Sequence, residues 1–232
     1  MSTFTPSGDA VRARHLALLD AFAGRRILVV GDLMADEHIW GSATRVSPEA
    51  PVLVVDVQRE TFAPGGAANV ASQLLSFGAD VRVAGVVGDD EAGGQLVDAL
   101  ASLGARTDAV VAVPGRPTTR KTRVLAGTQQ VVRIDREQRD PLPEKSAADL
   151  IRRAEAALGH VDAVLFSDYE KGVLSKRSVG ALLDAARRHG RIATANPKPR
   201  SAAWFRDANL VQLNRVEADL ASHSHRFETL DE

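Results

Sequence analysis

The sequence contains no cysteine, and aromatic residues are scarce. Its 232 residues include two tryptophans and one tyrosine, and aromatic residues make up 4% of the chain. The missing thiol excludes disulfides, cysteine-ligated zinc, iron–sulfur clusters and thiol nucleophiles. No segment approaches the roughly 20 apolar residues that span a bilayer, and the first ten residues lack the pattern of a secretory signal. We therefore expect a cytoplasmic protein that does not bind membranes.

The chain also has little net charge. It carries 29 lysines and arginines against 30 aspartates and glutamates, which leaves a formal net charge of −1. This balance gives no support to a nucleic-acid partner, although a local basic pocket for one phosphate remains possible. The content of 44% hydrophobic and 25% charged residues is typical of globular proteins. The length fits one large α/β domain, alone or with a small appendage.

Buried strands alternate with amphipathic helices along most of the chain. Apolar, β-branched runs predict strands at residues 26–31, 80–87, 106–113, 161–167, 191–196 and 210–213. Apolar residues at helical spacing predict helices at 7–23, 67–77, 91–103, 144–158 and 176–189. Such alternation predicts an α/β fold with a parallel sheet and helices on its faces. Residues 1–23 are expected to form an N-terminal helix, and residues 218–232 a polar tail.

Two segments of antiparallel character, 44–62 and 117–135, interrupt the alternation. In the first, Pro48 and Pro51 exclude a helix, and residues 52–57 are largely apolar in both alternating sets. This pattern predicts a strand covered on both faces, by the body of the protein and by a partner. The second predicts a hairpin of strands 118–125 and 130–135 around a four-residue loop. We expect the two segments to form a small second sheet over the carboxyl edge of the main sheet, where ligands bind.

Two motifs near that edge contain candidate sugar ligands. Asp32 and Asp36 follow the first buried strand, and both carboxylates can accept hydrogen bonds from the hydroxyls of one polyol; the alternative is a turn cap and a solvated charge. Gly65 and Gly66 precede a helix and permit close approach of a ligand to the backbone. The Asn69 amide, in the first helical turn, can both donate and accept.

Several cations and one carboxylate–amide pair complete the candidates. The basic residues that we consider as partners for a substrate phosphate are Lys171, Lys198, Lys121 and Arg133. Lys171 and Lys198 rank first because each follows a predicted buried strand. Asn214 and Glu217 stand three residues apart at a strand-to-helix junction. They are typical either of a hydrated Mg²⁺ or phosphate site or of a helix capping box.

Together these segments resemble the ribokinase-like (PfkB) carbohydrate kinases, from about residue 24 to residue 217. Within that family the similarity is greatest to heptose-7-phosphate kinases, the kinase half of a bifunctional ADP-heptose synthesis enzyme. The motifs that carry the resemblance are residues 31–41, 45–52, 65–69, 85–90, 121–125, 129–135 and 167–172, and the pair Asn214 and Glu217. The runs Ser-Pro-Glu-Ala-Pro-Val and Ser-Asp-Tyr-Glu-Lys-Gly are the most specific of these.

The resemblance implies a three-layer αβα body with a β lid that clasps a second lid in a homodimer. It also implies that Asp32, Asp36, Gly65, Gly66 and Asn69 contact the sugar. ATP would be the phosphoryl donor, a sugar phosphate the acceptor, and Mg²⁺ would be associated with Asn214 and Glu217. Catalysis in such an enzyme depends on positioning and charge neutralisation.

One family motif has no match. The second signature, Asp-Thr-x-Gly-Ala-Gly-Asp, supplies the catalytic base in this family and occurs nowhere in the 232 residues, so no catalytic residue is assigned. We expect residues 24–217 to be the sugar-binding part of a kinase domain whose sheet is incomplete at the carboxyl terminus. Two alternatives stay open: an inactive sugar-phosphate-binding or regulatory protein, and a dimerisation module that acts through the lid.

Overall fold

The computed structural model describes residues 8–228, which form two sheets and six helices. The helices are α1 (Gly8–Asp20), α2 (Ala67–Ser76), α3 (Glu91–Ser102), α4 (Glu144–Leu158), α5 (Lys176–Arg188) and α6 (Arg215–Glu228). The strands are β1 (Arg26–Gly31), β2 (Leu33–Val46), β3 (Leu53–Gly66), β4 (Asp80–Gly88), β5 (Arg106–Val113), β6 (Thr119–Ala126), β7 (Gln129–Arg136), β8 (Ala163–Ser167), β9 (Ile192–Asn196) and β10 (Leu210–Val211). None of the described helices is long and apolar enough to cross a membrane.

The main sheet is parallel and is covered by helices on both faces. Its strand order is β10-β9-β8-β1-β4-β5, and every neighbouring pair is parallel. Apolar residues of α4 and α5, such as Leu150 and Leu182, pack on one face. Residues of α2 and α3, such as Leu74 and Leu96, pack on the other. Both faces of the central strands are therefore buried, which explains their continuous apolar runs and confirms the predicted three-layer fold.

The second sheet, which we call the lid, has the order β3-β2-β6-β7. It includes both predicted lid segments but begins earlier, at Leu33, and extends to Arg136. The antiparallel character predicted for the two segments holds for β2 with β3 and for β6 with β7, whereas β2 pairs with β6 in parallel. The early start of β2 was not predicted because polar residues at 36–38 obscure its alternating pattern.

Two further predictions need correction. Residues 218–228 are helical, since they continue α6 rather than form an irregular polar tail; residues 229–232 and 1–7 lie outside the described part. The hairpin loop between β6 and β7 has two residues rather than four, with Gly127 at a φ of 59°. In the single chain Val57 of the strand predicted at 52–57 is 54% exposed, so its cover by a partner stays a prediction.

The chain leaves the lid after β3 and returns to it at β6, and we call the segment 114–118 before β6 the entry of the lid. This entry is fixed to the body by Asp90, the N-cap of α3. Its carboxylate accepts the backbone N–H of Gly93 at 2.9 Å, as well as the backbone N–H and the hydroxyl of Thr118 at 2.9 and 2.5 Å. The Thr118 hydroxyl oxygen in turn accepts the Gly88 N–H at 2.8 Å. The motif at residues 85–90 therefore anchors the segment through which the chain returns to the lid at β6.

Candidate functional site

Three polar side chains follow adjacent strands at the carboxyl edge of the main sheet. Asp32 follows β1, Asp168 follows β8, and Lys198 lies two residues after β9. Because these strands are neighbours and parallel, the three residues lie side by side at the edge where open α/β sheets bind ligands. The edge thus presents two carboxylates and one ammonium group beneath the lid.

Asp32 is buried, and only one of its carboxylate oxygens is hydrogen-bonded. It is 1% exposed, and its Oδ2 accepts the backbone N–H groups of Tyr169 and Lys171 at 2.6 and 3.3 Å. The other oxygen, Oδ1, is buried without a partner in the described part of the chain. Burial and the nearby charge of Asp168 raise the pKa of Asp32 to about 7, against the opposing effect of the backbone donors. An unpaired buried oxygen of this kind is suited to a hydroxyl donor from a ligand.

The paired glycines bring the backbone close to both candidate aspartates. A Cβ at Gly65 would lie 2.4 Å from Asp36 Oδ2, and one at Gly66 would lie 2.5 Å from the carbonyl oxygen of Asp32. Gly66 also has a φ of 56°, a conformation that other residues adopt at a cost. The structure therefore brings Asp32, Asp36, Gly65 and Gly66 together, whereas Asn69 is exposed in the first turn of α2.

One face of the lid carries three cations around two carboxylates. Arg123 Nη1 lies 2.6 Å from Asp36 Oδ1, and Lys121 Nζ lies 3.5 Å from Asp135 Oδ2. Arg133 is paired with Arg123 in strand register and donates to Asp135 at 2.9 Å. We call this surface the cationic lid face. It has an excess of positive charge, since three cations oppose two anions.

Lys171 lies in the site, but its ammonium group already has a partner. Its Nζ is 2.6 Å from Glu137 Oε2, and both side chains are nearly buried, at 9% and 13% exposure. Burial acts to raise the pKa of Glu137, but hydrogen bonds from Lys171 and Arg139 outweigh it and hold the pKa below its usual value. Glu137 follows β7, so this ion pair joins the exit of the lid to the loop after β8.

The pair Asn214 and Glu217 forms a capping box at the start of α6. This is one of the two arrangements that the sequence predicted for the pair. The Asn214 side chain accepts the N–H of Glu217 at 2.8 Å, and Glu217 Oε2 accepts the N–H of Asn214 at 3.1 Å. The other oxygen, Oε1, is 2.6 Å from Lys198 Nζ. Both carboxylate oxygens are thus occupied, and one faces a cation, so this arrangement does not fit direct metal coordination.

Asp168 and Arg116 were not among the predicted site residues. Asp168 occupies the same position after β8 as Asp32 does after β1, and this equivalence is a signal in the sequence. Its carboxylate accepts the hydroxyl of Ser201 and, at 2.8 Å, the N–H of Glu170. Arg116 gave no signal, because it lies in the irregular segment between β5 and β6.

The chain is similar to a known family and to curated proteins over most of its length. Residues 25–232 match the family described as pfkB family carbohydrate kinase. A protein of Wolinella succinogenes named Bifunctional protein HldE is 44% identical over 196 residues, which cover 84% of this chain and 41% of the relative. A protein of the same name from Pelobacter propionicus is 48% identical over 198 residues, with 84% and 40% covered. The chain therefore spans about two fifths of the length of these relatives.

Solved structures show the same fold at low sequence identity. A carbohydrate kinase from Agrobacterium tumefaciens matches with a TM-score of 0.62 and 21% identity, over 85% of this chain and 63% of that one. A ribokinase from Cryptococcus neoformans, solved in complex with ADP, matches with a TM-score of 0.56 and 22% identity, over 81% and 56%. These similarities establish the arrangement of strands and helices.

Proposed function

Because the chain belongs to the pfkB family of carbohydrate kinases, we propose that it binds a phosphorylated sugar between the cationic lid face and the carboxyl edge of the main sheet. The observation that carries this proposal is the unpartnered Oδ1 of the buried Asp32, the residue that directly precedes the first lid strand. The sugar that we propose is heptose 7-phosphate, as the motif resemblance implies. The reaction that we propose for the whole protein is transfer of the ATP γ-phosphoryl group to a sugar hydroxyl.

The chain's own residues would bind and orient the acceptor sugar. Asp32 Oδ1 accepts one sugar hydroxyl, and Asp36 accepts a second while Arg123 fixes its orientation. The close backbone at Gly65 and Gly66 leaves room for the sugar ring against the start of α2. Fixing the acceptor hydroxyl in this way supplies the positioning on which phosphoryl transfer depends. ATP would bring Mg²⁺ with its phosphates, and we assign no direct ligand of that ion to Glu217, whose carboxylate oxygens are held by Lys198 and by the Asn214 N–H.

We assign the phosphate of the substrate to the cationic lid face, with Lys121 and Arg133 as its ligands. Arg133 is 51% exposed, and its guanidinium has donors left after its bond to Asp135. Lys171 and Lys198, which sequence analysis also proposed, are held by Glu137 and Glu217 at 2.6 Å each. A phosphate would have to displace those carboxylates, whereas the cationic lid face has an excess of positive charge.

Calorimetric titration of the protein with heptose 7-phosphate and with the unphosphorylated heptose tests this assignment. We expect the wild-type chain to bind the phosphorylated sugar at least about tenfold more tightly, since charged hydrogen bonds contribute about 1.5–3 kcal/mol. Arg133→Met should remove most of this preference and leave the affinity for unphosphorylated heptose unchanged. Lys171→Ala should weaken both sugars equally, because it disturbs the loop that holds Asp32.

The matched control is Arg106→Met, which removes a 56% exposed arginine on β5, far from the lid. It should leave both affinities unchanged. Equal losses of both sugars in Arg133→Met would contradict the lid assignment, and a phosphate-specific loss in Lys171→Ala would return it to Lys171. Binding of neither sugar by the wild-type chain would contradict the proposed function and favour a dimerisation module.

We also propose that the face of the lid opposite the cations pairs two copies of this chain. Val132 and Ile134 on β7 are 46% and 42% exposed, and both lie in register with β6 residues Val124 and Thr122. Exposed apolar side chains grouped on one sheet face are typical of an interface. A partner lid on this face would cover them and leave the cationic face directed to the sugar.

The mass in solution, measured by light scattering, should be twice 24.7 kDa for the wild-type chain. Ile134→Lys should shift the protein to the monomer at micromolar concentration, because a buried lysine would lose its hydration. Val216→Lys, at a 66% exposed position on α6, is the matched control and should leave the dimer intact. A monomeric wild-type protein, or an Ile134→Lys dimer of unchanged strength, would refute the proposed interface.

A further inference from the structure

Arg116 is a buried cation whose hydrogen bonds go to backbone carbonyls. It is 7% exposed and lies between β5 and β6, where the chain enters the lid. Its Nη1 donates to the carbonyl oxygen of Asp140 at 3.0 Å, and its Nη2 donates to those of Gln138, at 2.7 Å, and Lys171. Within the described residues it forms no ion pair. Burying an arginine without an ionic partner costs free energy. This guanidinium binds three carbonyls in return, so its role depends on what those carbonyls connect.

The three acceptors belong to two separate segments of the chain. Gln138 and Asp140 lie in the exit from the lid, directly after β7, while Lys171 lies in the loop 168–172 after β8. Arg116 itself belongs to the entry of the lid. One side chain therefore joins the lid's entry, the lid's exit and the loop at the edge of the main sheet. The contact is close at Gly172 as well, where a Cβ would lie 2.3 Å from the carbonyl oxygen of Asp140.

The same loop holds the candidate sugar ligand Asp32. Its carboxylate accepts the N–H groups of Tyr169 and Lys171, so the carbonyl bound by Arg116 belongs to a residue whose amide binds Asp32. Asp32, Arg116 and Lys171 also line one small cavity, and the charge of Asp32 acts on the Arg116 guanidinium. A shift of the lid's exit would thus be transmitted through Arg116 to the loop and to the orientation of Asp32.

We propose that Arg116 is a positioning residue that couples the lid to Asp32, so that closure of the lid and contact of the sugar with Asp32 occur together. This inference rests on the proposed sugar binding and adds to it a residue that touches no substrate. Arginine is needed because its planar fork reaches three carbonyls, whereas a lysine ammonium is a compact donor on a single-ended stem. The Glu137 to Lys171 ion pair is a second, weaker connection between the same two segments.

Arg116→Lys tests the coupling, because it keeps the charge and removes the fork. Hydrogen exchange should show about tenfold less protection at the amides of Tyr169 and Lys171, with interior amides of β1 and β4 unchanged. The dissociation constant for heptose 7-phosphate should rise at least about tenfold. Arg152→Lys, at a side chain that is 69% exposed on α4, is the matched control and should change neither quantity.

If Arg116 only stabilised the fold, the loss of hydrogen-exchange protection would be distributed differently. Protection would then fall in β1 and β4 as much as in the loop, and this result, or unchanged sugar affinity, would overturn the proposal. If Arg116→Lys fails to fold, Glu137→Gln replaces it: the same two loop amides should lose protection, and no change there would also overturn the coupling. If the wild-type chain binds no sugar, the proposed function is refuted, and so is the coupling of the lid to sugar binding. The hydrogen-exchange data would still show whether Arg116 anchors the loop.

Discussion

Asp32→Asn is expected to weaken binding of heptose 7-phosphate about 100-fold and yet to stabilise the protein at pH 8. The loss of affinity follows because the free oxygen is the proposed acceptor of a sugar hydroxyl, and an amide in this position replaces one acceptor by a donor. The gain in stability follows because the wild-type chain buries an ionised carboxylate that lacks a hydrogen bond on Oδ1. The two effects have opposite signs, which a general loss of folding would not produce.

The pH dependence of this gain follows from the direction of the pKa shift. Burial and Asp168 raise the pKa of Asp32 to about 7, so the folded state binds the proton more tightly than the unfolded state. The resulting stability is complete below the unfolded pKa, near 4, and is lost as the pH rises to about 7, by at most about 4 kcal/mol. Asparagine has no proton to lose. The advantage of Asp32→Asn should therefore be absent at pH 4 and largest above pH 7.

Urea unfolding at pH 4, 6 and 8 measures this difference directly. Asp184→Asn is the matched control, since this aspartate on α5 is 63% exposed and pairs only at the surface with Arg187. Its free energy of unfolding should follow that of the wild-type chain at each pH. An Asp32→Asn protein that is less stable than wild type at pH 8, or whose advantage is the same at all pH values, would refute the burial argument.

Much of the body of this fold could be predicted from the sequence, because its strands are buried on both faces. The run at 26–31 and the helix at 144–158 have unbroken periodicities, and their observed bounds agree with the predictions. The lid was harder, because β2 combines Asp36, Glu37 and His38 with apolar residues and therefore has no clear alternation. Its parallel pairing with β6 depends on contacts between segments far apart in the chain, which local patterns do not contain.

The candidate site was predictable where a polar residue directly follows a buried strand. Asp32 was found by this rule, and Asp168 satisfies it equally well. The ionic partners were not predictable, because the pairing of Lys171 with Glu137 depends on how the exit of the lid meets the loop after β8. The contacts of Arg116 could not be predicted at all. Its acceptors are backbone carbonyls, which every residue has, so the residue types at 138 and 140 do not indicate the contact.

Several glycines of the chain have a positive φ, and Gly31 is not one of them. Among the glycines without a positive φ, Gly31 is the one whose replacement by alanine should reduce the stability most. A Cβ at Gly31 would lie 2.0 Å from the carbonyl oxygen of Ser167, its partner in β8, and 2.8 Å from the carbonyl carbon. Two central strands would have to separate, because the obstructing atoms belong to the backbone and cannot rotate away. We expect the free energy of unfolding to fall by about 3 kcal/mol or more, at the upper end for an overpacked core.

Gly94→Ala separates this steric effect from the general effect of removing a glycine. Gly94 lies exposed in α3, and nothing lies within 4 Å of the position its Cβ would take. Alanine there should raise the free energy of unfolding by about 0.5–1 kcal/mol, because it reduces the entropy of the unfolded chain and favours the helix. Urea unfolding of both variants thus tests changes of opposite sign. A Gly31→Ala protein as stable as wild type would mean that β1 and β8 can spread at their carboxyl ends, and the close packing that places Asp32 beside Asp168 would not be a requirement of the fold.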